Sequence, residues 1–399
     1  MTTTAEDDSS AAPERIAHPS DPQLLILFAV TLIAVLGVAS IGPALPVLRR
    51  ELGVSVERVG LVVTLFTLPG VILTPLLGVV ADRVGRKRVL VPSLALFAVA
   101  GGACGLAGSF TILLLSRLLQ GIGGASLGAL NVTLVGDLFR GRQRTVAMGY
   151  IAAVLSVGTA AYPLIGGGLA SLSWRWPFVL PLLAAPVALL VAVRLEEPRV
   201  ARPEGIGAYL GGLWREIRQP RVLALFGASC GIFILLYGAY ITFLPLFMAD
   251  RFGSSPIVIG AVMTSASAVN ALTSSQLGRI ARAVPEAVLL RLGFLSFALG
   301  LGLVPFIPST ALLLLPAVLL GFALATTIPV VLTLLGGLAP DDRRAAFMSF
   351  NGTVLRLGQT LGPLIATAVY AVGSYTAVYL AGAALALALG AAMAALVRR

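Results

Sequence analysis

Five charges, Asp82, Arg83, Arg86, Lys87 and Arg88, stand between two long uncharged runs, Val59 to Val80 and Val89 to Leu115. A carboxylate beside arginines in that setting suits an electrostatic latch that holds or releases packed halves at modest energy, or a topology signal that faces water. Other chemistry is thinly supplied. The single histidine, His18, lies in a polar opening segment, so no histidine relay serves the apolar part of the chain. Cys104 and Cys230 fall on different apolar runs without a neighbouring histidine, which argues against thiol pairing, a metal site or an intramembrane enzyme. No cofactor is implied. All 17 acidic residues lie in the opening segment, in loops or at the ends of apolar runs, with Asp82 and Asp137 at one set of ends and Glu51, Glu57 and Asp250 at the other. Three arginines, Arg117, Arg291 and Arg356, fall inside the runs.

The elements that must position these residues are membrane spans. The 399 residues are 58% hydrophobic and 11% charged, with mean hydropathy +0.98, outside the range of a soluble domain. The net charge of +11 is scattered through short gaps, which leaves no basic face for nucleic acid. Apolar runs predict about twelve helices: 23–48, 57–80, 89–108, 111–138, 145–170, 177–194, 220–248, 256–278, 287–306, 309–338, 345–371 and 376–397. The expected fold is therefore all-α and integral to the membrane. Residues 1–21 read as a disordered tail, 22–195 and 221–399 as two six-helix bundles, and 196–220 as a charged linker with an amphipathic stretch around Tyr209 to Arg218.

The distribution of basic residues sets an orientation. With both termini and the linker on the cytoplasmic side, that side collects twenty arginines and lysines, while the other holds only Arg49, Arg50, Arg58, Arg175 and Arg251. Arginine outnumbers lysine 27 to one, a bias of GC-rich codons that points to a bacterial plasma membrane.

The halves also repeat at an offset of 200 residues. Gly60 recurs as Gly260, Gly78 as Gly278, Gly121 as Gly321 and Met148 as Met348, and the segment from Gly158 recurs as Gly358 to Ile365. Parallel six-span repeats of this kind place a substrate site between the halves near mid-membrane.

The tract Gly78 to Leu90 resembles the signature of the major facilitator superfamily between spans 2 and 3. Arg117 to Ala125 resembles its span 4 signature, and Leu36-Gly37 with Pro43 to Pro46 resembles a span 1 motif of the twelve-span drug/proton antiporter branch. The exporter motif of span 5 is similar to Gly158, Pro163, Gly166 and Gly167, with Tyr162 in place of one glycine; Gly358, Gly362 and Pro363 repeat it in span 11. Glycine at this spacing lets helices approach closely, and proline bends them.

The resemblance implies alternating-access transport of a small molecule across the lipid bilayer, by a monomer, most simply as efflux of the multidrug-resistance type. Sugar, siderophore or metabolite export, or ligand sensing without flux, are compatible with the same residues. It further implies a cytoplasmic latch of Gly78, Asp82, Arg83, Gly85 and Arg86, in which Asp82 meets the start of span 11, with Arg356 as basic partner, and Arg86 pairs with Asp137. The same charges also serve topology alone. Coupling to protons falls to Asp82, Asp137 or Asp250, or to a site perturbed by Arg117; another ion or uncoupled diffusion stays open. Arg117 either snorkels outward or points inward, since facing lipid would cost roughly 2.5–3.5 kcal/mol. Cavity positions expected from the family are Ser40, Asn131, Phe233, Tyr237, Tyr240, Thr326 and Thr327, with Asn270, Asn351 and Gln359. Tyr237 and Tyr240, three apart, would share a helical face. Neutral donors among apolar groups favour a lipophilic or amphiphilic substrate.

Overall fold

The computed structural model describes residues 18–196, 218–339 and 344–397. The linker and its amphipathic stretch, and nearly all of the opening tail, lie outside them. The described residues form twelve long helices and no strand. In chain order they are α1 (Pro22–Glu51), α2 (Val56–Val84), α3 (Arg86–Gly105), α4 (Phe110–Leu138), α5 (Gly141–Ala170), α6 (Trp176–Arg194), α7 (Pro220–Phe252), α8 (Pro256–Ala283), α9 (Glu286–Phe306), α10 (Ala311–Leu338), α11 (Arg344–Val372) and α12 (Tyr375–Val397). All but α11 are long and apolar enough to cross a membrane by composition. At 29 residues α11 has the length, but Asn351, Arg356, Gln359 and Thr360 dilute its apolar character.

Several spans are interrupted where their sequence withholds a backbone donor. Gly42-Pro43 turns α1 through a short 3-10 segment before Pro46 restarts it. In α7, residues Leu236–Phe243 wind as a π-helix that ends just before Pro245, and the Thr242 hydroxyl donates to the Tyr237 carbonyl at 2.7 Å inside the widened turn. Asp21 caps α1 by accepting from the amides of Gln23 and Leu24.

Each half has its own apolar core, one built from residues between Leu24 and Leu195, the other between Val222 and Met393. The packing follows the repeat. In the first half α1 packs on α5, α2 on α4, and α3 on α4 and α6; in the second, α7 on α11, α8 on α10, and α9 on α10 and α12. Gly121 abuts the Phe66 carbonyl, and 200 residues on Gly321 abuts the Ala266 carbonyl. Between the halves α5 packs on α8 and α2 on α11, again equivalent pairs. Large apolar side chains such as Val99, Leu106, Leu189 and Val372 cover the outside, as a hydrocarbon environment requires.

Candidate substrate cavity and its two ends

We call the side carrying Arg83, Lys87, Arg140, Arg194 and Arg221 the basic face. The halves are joined at the opposite face. There Arg49 pairs with Asp250 across the halves, and Leu246 of α7 enters the first half's core. Farther in, glycines remove the side chains that would keep the helices apart. Gly167 meets the Pro256 carbonyl, Gly260 the Pro163 carbonyl, and Gly60 approaches Pro363 and Thr367. The Thr264 hydroxyl donates to Ala160 O at 2.8 Å, and the Thr360 hydroxyl to Thr67 Oγ1 at 3.0 Å. These two bonds lie near mid-span. Toward the basic face, by contrast, a Cβ on Gly78, Gly149, Gly278 or Gly352 would meet nothing within 4 Å, so the close glycine contacts of the seam are confined to its other end.

Arg356 stands at mid-span of α11, facing α2 across the seam. It is half-buried, its Nη1 donates to Gln359 Oε1 at 3.3 Å, and its aliphatic portion lies along Gly70 at the middle of α2. Tyr237 is close enough to feel its charge, and the Tyr237 ring sits 6.0 Å from that of Phe233. Phe233 also lines an apolar pocket with Ser229, Ile232, Ile328, Val331, Leu332 and Leu355. Asn270 of α8 is half-buried and accepts from the Ser274 hydroxyl. The arrangement offers one cation, two amides and an aromatic wall.

At the basic face Arg86 is 7% exposed and bridges Asp82, at 3.4 Å, and Asp137, and it donates to Thr133 O at 3.2 Å. Gly85, at φ +107°, allows the turn between α2 and α3 that presents this arginine to α4. Lys87 donates to Leu195 O at 3.0 Å, which ties the turn to the end of α6. The cluster holds the first half together. It does not reach Arg356, which lies against Gly70, about 18 Å along α2 from Asp82 at the helical rise.

Arg117 is fully buried between α1, α2 and α4 and does not snorkel. Its Nε donates to Val62 O at 2.9 Å, Nη1 to Gln120 Oε1 at 2.7 Å and Nη2 to Gly37 O at 3.0 Å, over the Phe66 ring at 4.2 Å. With that fork engaged, the residue fastens three helices and has no face on the cavity.

A family model described as Major Facilitator Superfamily matches residues 27–255 and 232–399. The chain belongs to that superfamily. It is 27% identical over 374 residues to the quinolone resistance protein NorA of Staphylococcus aureus, covering 88% of this chain and 90% of that protein. Among solved structures, the nucleoside transporter NupG superposes with a TM-score of 0.74 at 16% identity, over 95% of this chain and 98% of that one. A bacterial homologue of the human lysosomal transporter Spinster, inward-facing and occupied, gives 0.74 at 17% identity, over 95% and 98%. The superfamily member is thus a multi-pass membrane transporter and not an enzyme.

Within this transporter fold the other expected residues divide sharply. Phe233, Tyr237, Asn270 and Gln359 are half-buried. Ser40, Thr326 and Thr327 are buried at 0% exposure with their hydroxyls on carbonyls of their own helices. Asn131 is buried too and donates to Thr31 Oγ1 at 2.7 Å; Asn351 is 1% exposed. Tyr237 and Tyr240 do not share a face. The π-helical winding sends Tyr240 into the second core, where its hydroxyl donates to Met263 O at 2.8 Å, while Tyr237 packs against the first core. The packing glycines all sit in tight contacts: Gly158 on Leu32, Gly166 on the Ser40 backbone, Gly358 on Cys230 and Gly362 on Ile234 and Gly238.

Sequence reasoning missed the Arg49–Asp250 pair. A signal was present, since the 200-residue offset aligns Arg50 with Asp250 and so sets opposite charges at equivalent ends of α1 and α7.

Proposed function

We propose that this superfamily member exports a small amphiphilic molecule from a bacterial cytoplasm by alternating access. The carrying observation is that the two equivalent helix pairs between the halves, α5–α8 and α2–α11, have glycines in close contact toward the Arg49 end and glycines facing open space toward the basic end, as a cavity opening to the basic face would require. The positive-inside rule assigns the basic face to the cytoplasm, which makes the present state open inward and puts both termini and the linker inside. Likeness to a resistance protein across most of both chains supports export over uptake.

In this reading the Asp82–Arg86–Asp137 cluster is the inner latch. When the cavity opens outward the basic ends of α2 and α11 approach, and Asp82 turns from Arg86 toward the start of α11, whose free amides favour a carboxylate. Coupling, where present, uses a carboxylate at a helix end, because the described acidic residues occupy such ends. The protein acts as a monomer.

The test is counterflow in proteoliposomes with a panel of lipophilic and amphiphilic compounds, with and without a pH gradient. Flux that rises with an inward-directed proton gradient supports proton-coupled export. Gradient-independent flux removes the coupling and leaves the carrier. Binding without flux replaces the transporter with a receptor.

A further inference from the structure

Two arginines sit deep in helices of the two halves, and the fold treats them oppositely. Arg117 is enclosed, with three oxygens on its guanidinium and an aromatic ring beneath it. Arg356 is half-buried, and among the described residues its guanidinium has one hydrogen bond, the 3.3 Å contact to Gln359.

None of the described carboxylates pairs with Arg356. Among the described residues Asp21, Asp82, Asp137, Glu196 and Glu286 lie at basic-face ends of helices, and Glu51, Glu57 and Asp250 lie at the opposite ends. A fixed cation at mid-membrane without a counter-charge is costly, and the cost is offset when a mobile anion enters beside it. The surroundings keep room for one. Gly70 lets the arginine lie flat on α2, since a Cβ there would stand 3.1 Å from its Cδ and 3.2 Å from Nε. The Phe233 and Tyr237 rings stand 6.0 Å apart, and Phe233 also lines an apolar pocket with Ile328, Val331 and Leu355, the residue before Arg356.

We propose that the cavity binds an amphiphile carrying a single carboxylate, which pairs with Arg356 while an aromatic or aliphatic body lies against Phe233, Tyr237 and the wall beyond Leu355. One planar guanidinium matches one carboxylate through paired hydrogen bonds. A dianion would need a second cation, and Arg117, at 0% exposure, does not supply it. A permanent cation would meet repulsion. This inference rests on the transporter reading and narrows its substrate class.

The test uses the full chain in nanodiscs of zwitterionic lipid, with lipid-only discs subtracted, and equilibrium binding of naphthoate, its methyl ester and naphthylmethylammonium. Wild-type protein should bind the acid about ten- to a hundredfold more tightly than the ester, with the ammonium weakest. Arg356→Gln should bring the acid down to the level of the ester, and Arg356→Lys should retain part of the preference. Equal binding of acid and ester by the wild type, no binding of the acid, or an undiminished preference in Arg356→Gln overturns the proposal. If Arg356→Gln does not fold, the wild-type series and a preference in Arg356→Lys equal to that of the wild type decide in its place. Flux of the same compounds separates the two readings. Arg356-independent flux of ester or ammonium sinks the anion site and leaves the carrier, whereas Arg356-dependent binding of naphthoate without flux of any of the three sinks the carrier and leaves the site.

Discussion

Arg49 and Asp250 form a two-pronged ion pair across the halves, Nη1 to Oδ2 at 2.8 Å and Nη2 to Oδ1 at 2.5 Å, and the Tyr375 hydroxyl donates to the same carboxylate at 2.6 Å. The pair joins the end of α1 to the end of α7, and Tyr375 brings in the start of α12. It is partly shielded, with side-chain exposures of 17% and 31%, and the rings of Tyr370, Phe243 and Phe247 flank Tyr375. A charge-assisted, bidentate bond in this position holds shut the face away from the cavity mouth.

Breaking that pair should favour the state open at the Arg49 face. We expect Arg49→Ala and Asp250→Asn each to cost the closed face about 1 kcal/mol, roughly a fivefold change in the ratio of states. Spin labels placed on α1 and α7 near the pair would read the ratio. The charge-swapped double variant, Arg49→Asp with Asp250→Arg, should recover most of the loss. Unchanged distance distributions in both single variants would remove the pair from gating.

Steric contacts at the same seam make a second prediction. A Cβ on Gly260 would strike the Pro163 carbonyl, whereas a Cβ on Gly278 meets open space. Gly260→Val should therefore prop α5 and α8 apart, at about 1–3 kcal/mol for overpacking, and Gly278→Ala should be silent. Cysteine labelling at the closed face, measured against thermal unfolding, would report both; a silent Gly260→Val contradicts the close approach.

Much of this was legible in the chain. Twelve apolar runs, the 200-residue offset and the charged tract suffice for two like bundles, because bilayer thickness fixes helix length and a repeat fixes packing. What the chain withheld was rotation about each helix axis. In so apolar a sequence both faces of a helix read alike, so Thr326 and Thr327, satisfied by their own helix, cannot be told from cavity donors. Tyr237 and Tyr240 separate only because a π-helix forms before Pro245. The pairing of Arg117 with Val62 and Gly37 was hidden for another reason: its acceptors are backbone carbonyls, which every sequence carries.

That backbone pairing makes Arg117 a stability residue. Arg117→Lys removes the fork while keeping the charge, and Arg117→Met removes both, so each should leave buried carbonyls unpaired at roughly 1–3 kcal/mol apiece. Both variants should unfold at lower temperature in nanodiscs, and lysine should not rescue. A lysine variant of wild-type stability would return Arg117 to the list of coupling residues.

Asp82 should behave differently, because its side chain is 40% exposed and its bond to Arg86 is long at 3.4 Å. Arg86 keeps Asp137 when Asp82 is neutralised, so the first half stays assembled and Asp82→Asn should insert and unfold like the wild type. Transport should nevertheless fall several-fold, since the proposed outward-open state loses the carboxylate that meets α11. Arg86→Ala disconnects both carboxylates and should lower stability as well as flux. The two variants thus separate latch from scaffold: wild-type flux in Asp82→Asn with lowered flux in Arg86→Ala would reduce the tract to assembly and topology, and parallel loss of flux with stability lost only in Arg86→Ala would make Asp82 the moving part.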